Sequence, residues 1–157
     1  MVLVDVELEY RRHVAELAHY ATVLVGPDDA MDVVNEAVAA TFARSSLVGV
    51  DDVRAYWFRA VTNTAAGWHR SNFRRRTRET RVSTDAYRVA REATTMADDA
   101  QEVLSSLSVQ QRAVVYLTYW HDWEPARVAA TLGVSEGTIR QQLGRGREKL
   151  REVLRRD

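Results

Sequence analysis

Cysteine is absent from the 157 residues, which excludes disulfides, thiol catalysis and the common structural zinc sites. The chain has two prolines and seven glycines, too few for a β-sandwich that turns every ten residues or so. Its four histidines, at 13, 19, 69 and 121, are not spaced like a metal-binding pair. No apolar run approaches the roughly 20 residues of a membrane-spanning helix, so no membrane segment of its own is expected. The opening MVLVDVELEYRR has neither the basic start nor the apolar core of an export signal, which predicts a cytoplasmic protein. No nucleophile–base pair is visible, and no cofactor and no enzyme activity are predicted. Against these absences stand 46% hydrophobic and 28% charged residues, a balance that suits a folded chain.

A formal net charge of zero conceals a block structure. Residues 1–52 hold ten acids against three bases, and 53–81 hold eight arginines against Glu79 alone. Residues 82–111 are again acidic, and 112–157 carry nine bases against six acids. Such alternation either solvates helix faces or serves two kinds of partner, of which the basic blocks fit phosphate. Arginine supplies 21 of the 22 bases, which phosphate binding and genome composition explain equally well.

Most of the chain has helical period. Residues 7–25 predict a helix with Leu8, Val14, Leu17, Ala18 and Ala21 inward, ended by Gly26-Pro27. Asp28 or Asp29 caps a second helix to about Arg44, burying Ala30, Val33, Val34, Ala37, Val38 and Phe42. After a loop at 45–50, Asp51 or Asp52 caps a third to about Phe73, burying Val53, Tyr56, Trp57, Ala60, Val61 and Ala65. Residues 74–81 continue that helix or fray, and 82–99 lack a period and are expected to be a flexible linker. Structure resumes at about Ala100. A capping box of Ser108 and Gln111 opens a helix to about Trp120, with Tyr116, Tyr119, Trp120 and Trp123 assigned to packing. Glu124-Pro125 starts a short helix that Gly133 ends, and Ser135 caps a last one to about Arg155. The expected fold class is all-α, with two small helical domains.

The segment PARVAATLGVSEGTIRQQLG, Pro125 to Gly144, predicts a helix-turn-helix. Small Ala129 permits a close crossing, Val128, Leu132, Val134 and Ile139 pin the pair, and Gly133 supplies a left-handed turn. The second helix then presents Glu136, Thr138, Arg140, Gln141 and Arg145 outward. Arginine and glutamine can pair bidentately with base edges, and the amides of Ser135 to Gly137 can hold a phosphate. Arg147, Lys149 and Arg151 extend the basic character. A repressor, an activator or a polymerase subunit all fit this segment, as does an αα-hairpin used only for packing.

Two features of the first half bear on that choice. Asp29, Asp32 and Glu36 form an acidic stripe opposite the apolar face of the second helix, placed for a partner or simply for solvation and the helix dipole. On the third helix Arg59, Asn63, Ala66 and Arg70 share a face followed by Phe73 and Arg74 to Arg76. An amide, a small gap and flanking guanidiniums suit a strand with an exposed base. Trp68 is placed either to stack on such a base or to fill the core.

With these segments in order, the chain resembles the extracytoplasmic-function group of bacterial RNA polymerase sigma factors from about Tyr10 to Leu154. SLSVQQRAVVYLTYW and VAATLGVSEGTIRQQLGRGREKLREVL are similar to the family's region 4, DAMDVVNEAVAATF to region 2.2, and RAYWFRAVTNTAAGWHR to regions 2.3 and 2.4. The resemblance implies region 2 over 1–81, the linker over 82–99 and region 4 over 100–157. It implies a transcription initiation factor whose partners are core RNA polymerase, promoter DNA and, as is common in the group, an anti-sigma factor. Asp29, Asp32, Val33, Asn35 and Glu36 would bind the polymerase clamp. Asn63, with Arg59, Trp68, Arg70 and Arg74, would capture the −10 element. Ser135, Glu136, Gly137, Thr138, Arg140, Gln141 and Arg145 would meet the −35 element. Asn35, Gly67, Gly144 and Gly146 stand where the family usually has Gln, Asp, Ser and Ala, and the last two predict a more flexible middle of the recognition helix. The alternatives are a stand-alone dimeric helix-turn-helix regulator and a helical protein that sequesters a partner without touching DNA.

Overall fold

A computed structural model of the chain describes residues 5–43, 47, 49–75 and 103–155, and of residues 69–75 only the backbone. Contacts divide the chain into two compact units, Met1–Thr95 and Met96–Asp157. The expected linker, 82–99, lies outside the described residues. Most of those residues are helical, with short connections between the helices and no strand among them.

In the first unit Asp5 caps α1 (Val6–Val25), accepting the Glu7 and Leu8 amides, and Gly26 ends it at φ 90° with its N–H on the Thr22 carbonyl. That positive φ is open to glycine at little cost. Pro27 to Asp29 turn the chain into α2 (Ala30–Ala43). Asp52 opens α3 (Val53–Arg75), its carboxylate accepting the Ala55 amide at 3.0 Å. The three helices enclose a core of Leu17, Tyr20 and Leu24 from α1, Val33 and Val34 from α2, Leu47, and Trp57, Phe58 and Val61 from α3. Full burial of each large side chain stabilises by about 1.5–3 kcal/mol, before chain entropy is counted against it.

Two expected core positions are instead on the surface. Burial on α1 is concentrated in its C-terminal half, from Leu17 to Leu24, so Leu8 in the first turn is left 47% exposed. At the end of α2 it is Thr41 that turns inward, donating to the Ala37 carbonyl at 3.0 Å, and Phe42 beside it is 48% exposed. Phe58, absent from the expected stripe, is buried, whereas Val53, Tyr56 and Ala60 are only half-buried.

In the second unit the Ser108 capping box is present in both directions and opens α4 (Val109–Val115). Arg112 folds back from it, donating from Nε to the carbonyls of Leu104 and Leu107 at 2.7 and 3.0 Å. The helix widens into a π-helical turn, Tyr116–Trp120, ahead of α5 (Pro125–Leu132) and α6 (Glu136–Arg155). Gly146 lies where α6 crosses α4: a Cβ there would meet Val115 Cγ2 at 3.4 Å. The helix is continuous through both Gly144 and Gly146.

The aromatics after α4 separate into inner and outer pairs, where all four were expected inside. Tyr116 and Trp123 are each 5% exposed, but Tyr119 and Trp120 are 57% and 66% exposed. Asp122 takes a left-handed φ of 54° directly after the π-helical turn, and the Trp123 amide bonds the Leu117 carbonyl at 3.0 Å. That reversal brings Trp123 into the core and leaves Trp120 outside, stacked on Tyr116 with 6.0 Å between rings.

Candidate polymerase and nucleic-acid interfaces

On α2 the apolar stripe of Ala30, Val33, Val34 and Ala37 is buried, which turns Asp29, Asp32, Asn35 and Glu36 toward the other side. Glu36 is exposed and the other three are half-buried. Asp32 sits in the first turn, where a carboxylate is favoured by the helix dipole. Val33 does not belong with them: it is fully buried among the three helices, and an apolar side chain at that place holds α2 down instead of meeting a partner.

α3 is fixed from beneath. Tyr20 Oη meets Thr62 Oγ1 at 2.6 Å. Arg54 donates from Nε and Nη2 to the Glu16 carboxylate on α1, so one fork–fork pair and one buried phenol set the helix against α1. Burial pushes the Tyr20 phenol well above its ordinary range and lowers the His19 imidazole, so both are held neutral. Above this base Arg59, Asn63 and Ala66 are exposed at the i, i+4, i+7 spacing of one helix face. Gly67 is exposed with open space around it. The backbone of α3 runs on through Arg70 and Arg74, whose side chains lie outside the described residues. Trp68 is turned into the core at 6% exposure, which removes its ring from any strand laid on this face.

The helix-turn-helix is built as its sequence requires. Pro125 occupies the start of α5, Gly133 ends it at φ 70°, and the Val134 amide reaches back to the Ala129 carbonyl at 3.1 Å. Val128, Ala129 and Ile139 are buried at the crossing, while Leu132 and Val134 are half-buried. Arg127 covers Trp123 with its guanidinium carbon 3.9 Å from the ring centroid, closing the back of α5. Ser135 Oγ accepts the Thr138 amide at 3.1 Å and meets Thr138 Oγ1 at 2.9 Å. Those two hydroxyls thus serve the start of α6. Beyond them Glu136, Gly137, Arg140, Gln141 and Arg145 are all exposed.

Arg140 Nη2 stands 3.5 Å from Glu136 Oε2 in an exposed i,i+4 pair. An ion pair so open to water holds Arg140 by a few tenths of a kcal/mol, about 0.3–0.5. A base edge or phosphate can therefore take the guanidinium over. Arg145 makes no ion pair among the described residues and is available outright. Lys149 is otherwise engaged, its Nζ 3.1 Å from Gln111 Oε1 in the capping box, so it braces α6 against α4. Periodicity did not point to the Tyr20–Thr62 contact, although Tyr20 follows Leu17 at i+3 and that spacing marks the same face. Among the described residues no three metal-ligating side chains cluster, and no helix is long and apolar enough to cross a membrane.

Comparison with known proteins gives this geometry a family. The model of "Sigma-70, region 4" matches residues 97–150. The RNA polymerase sigma-E factor of Streptomyces antibioticus is 36% identical over 135 residues, covering 82% of this chain and 72% of that one. The ECF RNA polymerase sigma factor SigL of Mycobacterium tuberculosis is 30% identical over 155 residues, 92% of this chain and 86% of its own. Among solved structures, CnrH in complex with the cytosolic domain of CnrY has a TM-score of 0.64 at 27% identity, covering 97% of this chain and 88% of CnrH. The sigma factor RpoE of Bartonella quintana, solved with the anti-sigma factor NepR, has a TM-score of 0.70 over 96% of this chain and 97% of its own. At 22% identity that likeness speaks for the fold.

Proposed function

Since the chain belongs to the extracytoplasmic-function group of RNA polymerase sigma factors, a transcription initiation factor, we propose a division of its task between the two units. The first unit acts as region 2. Asp29 just ahead of α2, and Asp32, Asn35 and Glu36 on it, dock the clamp of core RNA polymerase, and Arg59 and Asn63 on α3, with Arg70 and Arg74 farther along, hold the −10 strand. The second unit acts as region 4 and places α6 in the −35 major groove.

The observation that carries this reading is the aim of α6. The Gly133 turn and the Ser135 cap hold the helix so that Arg140, Gln141 and Arg145 all face solvent, the side chains that pair with base edges. Ser135 and Thr138 set the start of the helix, and the amide groups around Gly137 favour a phosphate there. On α3 a base flipped from the duplex costs a few kcal/mol of unstacking, which contacts to Asn63 and neighbouring guanidiniums return. No bond is made or broken by the protein, which is a binding and opening factor in the cytoplasm, with an anti-sigma factor as its regulator.

Size-exclusion co-elution of the chain with bacterial core RNA polymerase, without DNA, tests the first half of this proposal. A complex is expected, and it should be lost in the Asp32→Lys, Glu36→Lys double variant while the circular dichroism of that variant stays helical. A wild-type chain that elutes apart from an active cognate core sinks the proposal and returns the α6 face to a stand-alone regulator.

A further inference from the structure

The outer face of α6 continues past the side chains assigned to base contacts. Gln141, Gly144, Arg145, Arg147, Glu148 and Arg151 line an open concavity of about 440 Å³. Its floor is Gly144, exposed and with nothing within 4 Å of where a Cβ would stand. Residues 141, 144/145, 148 and 151 repeat at helical spacing, so the concavity runs along one line of α6 for about 15 Å. Its walls bring three guanidiniums against one carboxylate.

The three arginines are not equivalent. Arg147 is held: its Nε donates to Tyr119 Oη at 2.8 Å and its guanidinium lies 6.0 Å from that ring. Tyr119 comes from the π-helical turn, outside the helix-turn-helix, and this contact gives its exposed hydroxyl a partner. Arg145 and Arg151 have no ion-pair partner among the described residues, although Glu148 stands three residues from each. One pre-positioned and two uncommitted guanidiniums around a bare stretch of helix form a seat for a tetrahedral anion, with the glycine letting it approach the backbone.

We propose that this concavity, which begins beside the base-reading Gln141 and Arg145 and runs C-terminally from them to Arg151, seats a backbone phosphate of duplex DNA. The seat rests on the reading of α6 as a DNA-binding helix and deepens it. Gly144 is the floor, Arg147 and Arg151 hold the phosphate oxygens, and Glu148 at the rim opposes occupancy. The contact carries no sequence information and fixes how far along the groove α6 can slide.

Fluorescence anisotropy of the full chain against a labelled mixed-sequence duplex of about thirty base pairs, titrated with KCl, tests the seat. For Arg151→Gln the slope of log K against log salt is expected to lose about 0.9, the signature of one phosphate contact. Glu148→Gln is expected to bind about two- to fivefold more tightly. Gly144→Leu improves helix propensity, so its Tm should hold or rise, yet filling the floor should weaken binding at least about fivefold. Unchanged slopes and affinities in these variants, with wild-type binding intact, overturn the seat and leave the base-reading face standing. A wild-type chain that does not bind the duplex overturns both. Inorganic phosphate at matched ionic strength should displace nothing; displacement would show a site for free anions and overturn the duplex assignment.

Discussion

Tyr20 donates its phenolic hydrogen to Thr62. The two oxygens lie 2.6 Å apart, and Thr62 Oγ1 spends its own hydrogen on the Phe58 carbonyl at 2.7 Å, so the proton between them belongs to Tyr20. The pair ties the buried C-terminal half of α1 to α3 one residue before Asn63. The strand-binding face of the proposed region 2 therefore rests on a neutral phenol.

Removing that hydroxyl is expected to loosen the base without collapsing it. Tyr20→Phe keeps the T-shaped contact with Phe58 at 4.8 Å and leaves Thr62 with an unmet acceptor, a loss of about 1–2 kcal/mol by urea unfolding. A variant as stable as the wild type would show that the contact contributes nothing net.

The same residue sets an alkaline limit. Its folded pKa is raised by burial, so the folded state keeps a proton that the unfolded chain gives up near pH 10. Stability is fully present below that pH and falls as pH rises above it, by up to about 1.4 kcal/mol per pH unit from this group. Tyr20→Phe should flatten the alkaline limb. On the acid side His19 is held neutral by burial, so stability is expected to decline as pH drops below about 6.5, where the unfolded chain takes up the proton first. His19→Gln should reduce that decline in a pH series of denaturant midpoints.

Gly144 and Gly146, in the middle of α6, are expected to part company when larger side chains replace them. Gly144→Ala and Gly146→Ala each trade glycine for a better helix former, and both should raise stability by up to about 1 kcal/mol. Gly146→Leu drives its side chain into Val115 and Leu107 and should instead cost about 1–3 kcal/mol. Thermal unfolding of the three variants decides whether Gly146 is there for the crossing of α6 over α4.

At the proposed interfaces the expected losses are separable. Asn63→Ala should lower promoter opening by about tenfold or more and leave co-elution with core polymerase intact. Arg140→Ala with Gln141→Ala should remove −35 recognition and leave opening on a pre-melted −10 template. Equal loss of every activity in either variant would mark misfolding, or a wrong assignment of the two faces.

Much of this was legible from the chain itself. Helical period, the Gly26 and Gly133 stops, the Ser108 box and the Ser135 cap are local codes, decided by residues a turn apart. The helices and the outward aim of α6 follow from them. Which aromatic goes inside is not local. Tyr116, Tyr119, Trp120 and Trp123 are alike in hydropathy, and only the reversal at Asp122 sends Trp123 in and Trp120 out. Trp68 and Val33 enter the contact sets through the family resemblance, although spacing puts Val33 on the apolar stripe and leaves Trp68 between a stack and the core; packing buries both. The concavity on α6 likewise needed three dimensions, since the hold of Tyr119 on Arg147 joins residues 28 apart. Sequence alone determined the helices and the order of their charged faces, because capping and periodicity act within a turn. Tertiary structure decided which of those side chains remain available to a partner, because burial is settled by the neighbours that the fold brings in.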